Sequence, residues 1–282
     1  MKNNIDVFEK YSIPKAVFTL ATPTMLSMLV TIFYNMADTF FVGQTNDANQ
    51  VSAVSLTTPI FTIMMALGHV FGIGGSSFIS RALGQGDRHK VKNISSFCFY
   101  GSIVAGLLMM VVFLCFMDTI LSLIGTSADT IDYARQYLEY LLIGTVFIVA
   151  SFGFCNIIRG EGNAKISMIG MMIGTIVNIV LDYVFVYIMN LGISGAGLAT
   201  VCGYVVGSVI PLIYFMTSKS SKLHFTTLKM YPKVLLHSVV NGSSEMLTNI
   251  SSSIVTFLYN KQMMNLIGED GVASITVIMY IN

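Results

Sequence analysis

The chain has 282 residues, of which 10% are charged and 54% hydrophobic, with a formal net charge of +1. Its mean hydropathy is +0.75. A soluble domain carries about 25% charged residues, so this composition excludes an ordinary soluble globule and points to an all-α integral membrane protein with several spans. Its four cysteines all fall in apolar runs without paired spacing, which argues against a disulfide or zinc framework. With Trp absent, Tyr must supply any aromatic belt at the membrane surface.

About 20 mostly apolar residues cross a bilayer as a helix. On that rule the spans fall at 16–43, 51–80, 93–117, 136–157, 165–189, 195–217 and 235–264, and an eighth begins near 271. No cleaved signal peptide is evident at residues 1–15, and the chain stops inside an apolar run, which reads as a C-terminally truncated sequence. The connections are short and polar. The one at 118–135 is expected to carry a short helix, 159–165 is a Gly-broken loop, and the basic stretch 219–233 is the best lobe boundary. The expected organisation is therefore a six-helix lobe over 1–218, an inter-lobe loop over 219–233, and the first helices of a second lobe over 234–282.

The first span sets the theme for function. Pro23 sits about a third of the way in and should kink it. Thr31, Tyr34 and Asp38 follow at helical spacing, and Asn35 lies one turn before Asp38. In the second span, His69 reads as a packed histidine. Pairs of glycines four residues apart (Gly68 and Gly72, Gly170 and Gly174, Gly203 and Gly207) predict close helix–helix packing. The Gly-rich cluster at 72–75 lacks the strand–turn–helix setting of a phosphate loop, so nucleotide binding is discounted. Asn156, late in the fourth span, is a further polar group for the interior.

The run 166–203 carries one deeply placed charge, Asp182, with Asn178 one turn before it and Thr200 on the next span. A carboxylate at membrane depth costs a few kcal/mol and marks a functional site by default. The simplest arrangement puts Asp38 and Asp182 in one polar pocket with Tyr34, Asn178 and Thr200 as hydrogen-bond partners. Two such carboxyls can share a proton, and with Asn and Thr oxygens added they can hold a small hard cation such as Na⁺. Glu245 is a third acidic residue, inside the seventh span. Metal-ligand clusters, Ser/His/Asp or Cys/His sets at membrane depth, and nucleotide loops are not found, so an embedded enzyme is disfavoured.

These residues resemble a known family. PTM at 23–25, NMADT at 35–39 with Gly43, RALGQG at 81–86, RGEGN at 159–163, NIVLD at 178–182 and GAGLAT at 195–200 occur in the order typical of multidrug and toxic compound extrusion (MATE) transporters. The resemblance implies a bacterial-type drug exporter with twelve helices in two six-helix lobes. Here the first lobe and the start of the second are present, so the missing half would be required for transport. It implies efflux of organic, often cationic, compounds by alternating access, coupled to H⁺ or Na⁺ at Asp38, Asn178, Asp182 and Thr200. Glu245 is similar to an acidic residue on the family's seventh helix. No cofactor, structural metal or nucleic-acid partner is implied; the partners are small molecules and the cell membrane. A flippase of lipid-linked saccharides shares this architecture but should carry a more basic cavity.

Charge distribution fixes an orientation. When the loops are numbered alternately, all 15 Lys and Arg residues except Arg135 and Lys261 fall on the side of the N-terminus. The positive-inside rule makes that side cytoplasmic. Cysteines substituted for Asp47 and Asp129 should therefore react with an impermeant thiol reagent added outside intact cells, and a cysteine at Arg88 should not; the opposite pattern would invert the topology.

Overall fold

The structure is a computed structural model that describes residues 11–45, 47–217 and 232–281. Those residues form a helical bundle. The helices are α1 (Ile13–Gly43), α2 (Ala48–Gly84), α3 (Arg88–Cys115), α4 (Met117–Leu123), α5 (Ile131–Gly160), α6 (Ala164–Asp182), α7 (Gly192–Thr217), α8 (Pro232–Leu266) and α9 (Glu269–Ile281). The short helix expected between the third and fourth spans is α4. The boundary expected at 219–233 falls mostly on residues outside those described.

Helix starts follow their local chemistry. Asp47 caps α2 by accepting from the Asn49 N–H at 3.0 Å, and Asp87 caps α3 by accepting from the Lys90 N–H at 3.0 Å. Pro23 lies inside α1, which continues through it as one element. A π-helical turn, Tyr183–Ile188, follows α6 directly and was not foreseen from sequence. Periodicity cannot reveal a single widened turn, and such turns are frequent at functional sites.

Among the described residues six helices are long and apolar enough to cross a bilayer: α1, α2, α3, α5, α6 with its π-turn, and α7. The seventh run expected as a span is α8. It is 35 residues long, but Asn241, Ser243, Ser244, Glu245, Thr248, Asn249 and the serines at 251–253 leave it less apolar than the six.

The bundle is built around α2 and α5. Leu56, Met64, Leu138, Leu141, Leu142 and Ile148 are fully buried between them and their neighbours. Helix α2 packs on α5, α3 and α8, while α5 also packs on α7 and α6. Helix α1 leans chiefly on α6 and turns Phe18, Met25, Met28, Phe33 and Phe40 outward. Exposed apolar side chains on a membrane bundle face lipid tails, which have no reason to be shed, so packing must come from shape.

Small residues supply that shape. A Cβ on Gly203 would lie 2.8 Å from Asn178 Cβ and 2.9 Å from Gly174 O, so α6 and α7 touch backbone to backbone beside the polar residues of interest. Gly203→Ala should destabilise the fold by about 1–3 kcal/mol through overpacking. Gly207→Ala, where the added methyl meets Ser151 Oγ at 3.3 Å and a side chain can give way, should cost less. Thermal unfolding in detergent checks the order; equal midpoints would mean that the α6–α7 contact is not tight.

Candidate functional site

Four helices converge on the buried polar residues. From α1 come Thr31, Tyr34 and Asp38; from α5, Tyr137; from α6, Asn178 and Asp182; from α7, Thr200 and Tyr204. Asp38 is 5% exposed, Asn178 and Thr200 are each 1% exposed, and Asp182 is fully buried. Among the described residues these two are the carboxylates enclosed by the spans α1 to α7, apart from Glu161 at the α5–α6 turn, which accepts a hydrogen bond from the Tyr214 hydroxyl at 2.9 Å.

Tyr34 is the hinge of the arrangement. Its hydroxyl donates to Thr200 Oγ1 at 3.3 Å, and its ring meets Tyr204 edge-on at 6.0 Å. It also forms a wall common to two cavities. One, of about 30 Å³, lies between α1, α5, α6 and α7 and reaches Thr31, Asn178 and Thr200. The other, of about 240 Å³, lies between α1, α2 and α5 and reaches Asp38, Thr58, Thr62 and Tyr137. Asp182 lines neither cavity.

Tyr137 joins the two carboxylates. Its hydroxyl donates to Asp38 Oδ2 at 3.2 Å, and it also lies within electrostatic reach of Asp182. Asp182 lies within electrostatic reach of Asp38. Asn178 is the polar neighbour that acts on Asp182, yet the pair does not close to hydrogen-bonding geometry. Asp38 Oδ1, both Asp182 oxygens and the Asn178 amide atoms are buried without hydrogen-bond partners. Orphaned buried oxygens are costly, by about 1–3 kcal/mol each, and a cluster of them is suited to a proton or a small hard cation.

The structure thus brings Tyr34, Asp38, Asn178, Asp182 and Thr200 together, with Thr31 on the cavity rim; the Thr31 hydroxyl itself donates to Ser27 O at 3.0 Å. The side chain of Asn35 lies outside the described residues. Asn156 is placed elsewhere, which corrects its assignment to the pocket. It donates to Phe152 O at 2.8 Å and accepts from Arg159 at 3.3 Å, because its face of α5 turns toward Gly72 of α2. Arg159, read as a loop residue, is in the last turn of α5 with its side chain half-buried against Met171. Sequence reasoning also missed Tyr137 and Tyr204. The signal for Tyr204 was one turn after Thr200 on the same helix; Tyr137 gives none, since it reaches Asp38 across 99 positions. Glu245 is on α8, distant in sequence and outside this cluster; Asn249 donates to it at 3.4 Å.

Comparison with known proteins finds one family. The sequence model of the MatE family matches residues 23–184. "Multidrug export protein MepA" of Staphylococcus saprophyticus is 35% identical over 209 residues, covering 74% of this chain and 46% of that protein. A multidrug resistance MATE family transporter of the MOP superfamily, solved in an outward-facing conformation, superposes with a TM-score of 0.87 at 28% identity, covering 99% of this chain and 62% of the other. Solved in an inward-facing conformation, a transporter described in the same words gives a TM-score of 0.83 at 28% identity over 91% and 60% of the two chains. The chain spans about half the length of the curated relatives it matches.

Removing the Tyr137 hydroxyl leaves both Asp38 oxygens without a donor among the described residues. Tyr137→Phe should lower stability by about 1–3 kcal/mol, and much less so in an Asp38→Asn background. A double-mutant cycle on thermal unfolding measures the coupling; additive effects would separate the two residues.

Proposed function

The chain belongs to the MatE family, and on that premise we propose that it is the first part of a multidrug exporter of the cell membrane, its N-terminus cytoplasmic. The whole protein exchanges H⁺ or Na⁺ for organic, often cationic, compounds by alternating access. The observation that carries this reading is the pair of buried carboxylates, Asp38 and Asp182, set around Tyr137 and Tyr34 with unpartnered oxygens.

The mechanism follows from charge. An empty pocket holds carboxylates that burial and mutual repulsion both penalise. A proton or a Na⁺ relieves that penalty, with Asp38, Asn178, Asp182 and Thr200 supplying oxygens. Occupancy therefore changes the free energy of the helix arrangement around the pocket. A ligand shifts a conformational equilibrium only by its differential affinity for the two states. If α1, α5, α6 and α7 enclose the loaded and unloaded pocket differently, loading selects a conformation, and the organic substrate bound elsewhere is carried with it. The names of the Staphylococcus relative and of the two solved transporters support export of drugs and two accessible conformations. The half of the longer relatives not represented here completes the substrate path. A saccharide–lipid flippase would line its cavity with basic groups, whereas the charges in this pocket are carboxylates.

Asp182→Asn keeps size and polarity but fixes the charge at zero. In the intact transporter, efflux of a fluorescent organic cation driven by a proton or Na⁺ gradient should fall on the order of tenfold or more at matched expression, while binding of the cation persists. Asp38→Asn should behave alike. Wild-type efflux in Asp182→Asn would leave this residue as a packing group.

A further inference from the structure

Away from the carboxylate pocket, a second titratable cluster lies where α2 meets α8. The two helices approach backbone to backbone where Gly74 faces Ser238 and Gly242 faces Val70, positions with no room for a Cβ. Nearer the other end, Asn260 donates to Ser55 O at 2.9 Å. Between these two clamps in sequence sits His69. Its ring stands edge-on to Phe152 of α5, 5.3 Å between centroids. Its Nδ1 is 3.5 Å from Asn249 Nδ2, and the same amide nitrogen is 3.4 Å from Glu245 Oε1 and 2.8 Å from Glu245 O. Two charged groups face the ring from the helices packed on α2: Glu245 from α8 and Arg159 from α5. The Arg159 guanidinium has Asn156 Oδ1 and Met171 Sδ as its partners and leaves Nε unpartnered, so no carboxylate among the described residues neutralises it.

We propose that His69 and Glu245, bridged by Asn249, form a second proton-binding site, at the joint between α2 and α8 and separate from the Asp38–Asp182 pocket. With His69 neutral and Nδ1 as acceptor, the Asn249 N–H points at the ring. A proton taken from water onto Nδ1 turns that acceptor into a donor. Asn249 must then present its oxygen to the ring or release it, and the new imidazolium gains Glu245 as an anionic neighbour and Arg159 as a cationic opponent. One proton thus reverses the polarity of a contact between two helices. An open groove lined by Phe78, Arg81, His237, Val240, Asn241 and Ser244 lies farther along the same α2–α8 joint. Ser244 precedes Glu245 in the chain, and Asn241 lies one helical turn before it. The site stands whether or not the carboxylate pocket drives transport.

The test is nitrogen-15 NMR of histidine-labelled intact protein in detergent, with the His69 signal assigned by its loss in His69→Gln among the 4 histidines. The His69 ring should pass from the neutral to the imidazolium signature between about pH 8 and pH 5. Glu245→Gln should displace that midpoint by about one pH unit or more, a tenfold change in proton affinity, and Asp182→Asn should leave it in place. Asn249→Asp, which puts a carboxylate at the bridging position, is the second arm and should displace it as well, so that poor folding of one variant still leaves a result. A ring that stays neutral throughout this range, a midpoint indifferent to Glu245 and Asn249, or one displaced equally by Asp182→Asn would each overturn the proposal.

Discussion

A carboxylate inside a hydrocarbon-facing bundle cannot borrow water, so each of its oxygens must find a protein donor, a proton or a cation. Here that constraint acts at two positions, Asp38 and Asp182, and the surrounding packing reads as its consequence. Helices α5, α6 and α7 bring one hydroxyl or amide each to the pair, and the glycines of α6 and α7 let the backbones close until Asn178 and Thr200 are sealed from lipid. Even so, several oxygens remain without partners. A fold selected for stability alone would place apolar side chains here at no loss. A pocket left partly unsatisfied has its free energy tied to what enters it.

The sequence made part of this legible, for a simple reason. A single charge in a long apolar run is conspicuous, so Asp38 and Asp182 stood out; helical spacing then attached Tyr34 and Asn178 to them, and Thr200 joined from the next span. Six of the seven full spans expected are helices that meet the length and apolarity a bilayer asks for. What could not be read was whatever depends on which face of one helix meets another. Tyr137 is one of 13 tyrosines, and nothing in its local spacing points to a residue 99 positions away. Asn156 looked equivalent to Asn178 by type and depth, yet the turn of α5 aims it at α2. Arg159 looked like a loop cation because a Gly-rich motif follows it, but α5 continues to Gly160 and carries its side chain inward. The length of α8 was correctly taken as one helix; its serine and asparagine content set it apart from the other spans. The π-turn after Asp182 leaves no periodic trace at all.

Packing between α2 and α8 illustrates how a membrane bundle substitutes geometry for the hydrophobic effect. Lipid tails solvate leucine as well as another leucine does, so apolar contact area contributes little to holding these helices together. Close backbone approach at Gly74 and Gly242, and an amide donated to a backbone carbonyl at Asn260, do the holding instead. Such contacts are short-ranged and directional. They are lost abruptly when helices slide or tilt, which makes this interface resistant to small strain and prone to switch as a unit.

The ring of Tyr34 has a consequence beyond its hydroxyl. It is one aromatic layer thick, about 3.5 Å of material by van der Waals contact, and it is the residue that lines both cavities. A wall so thin transmits pressure. A bulky guest wedged against one face crowds the other, and a ring that swings aside for one compartment enlarges it at its neighbour's expense. Antagonism between two guests can therefore be mechanical, read through a single side chain, with no charge passing between them.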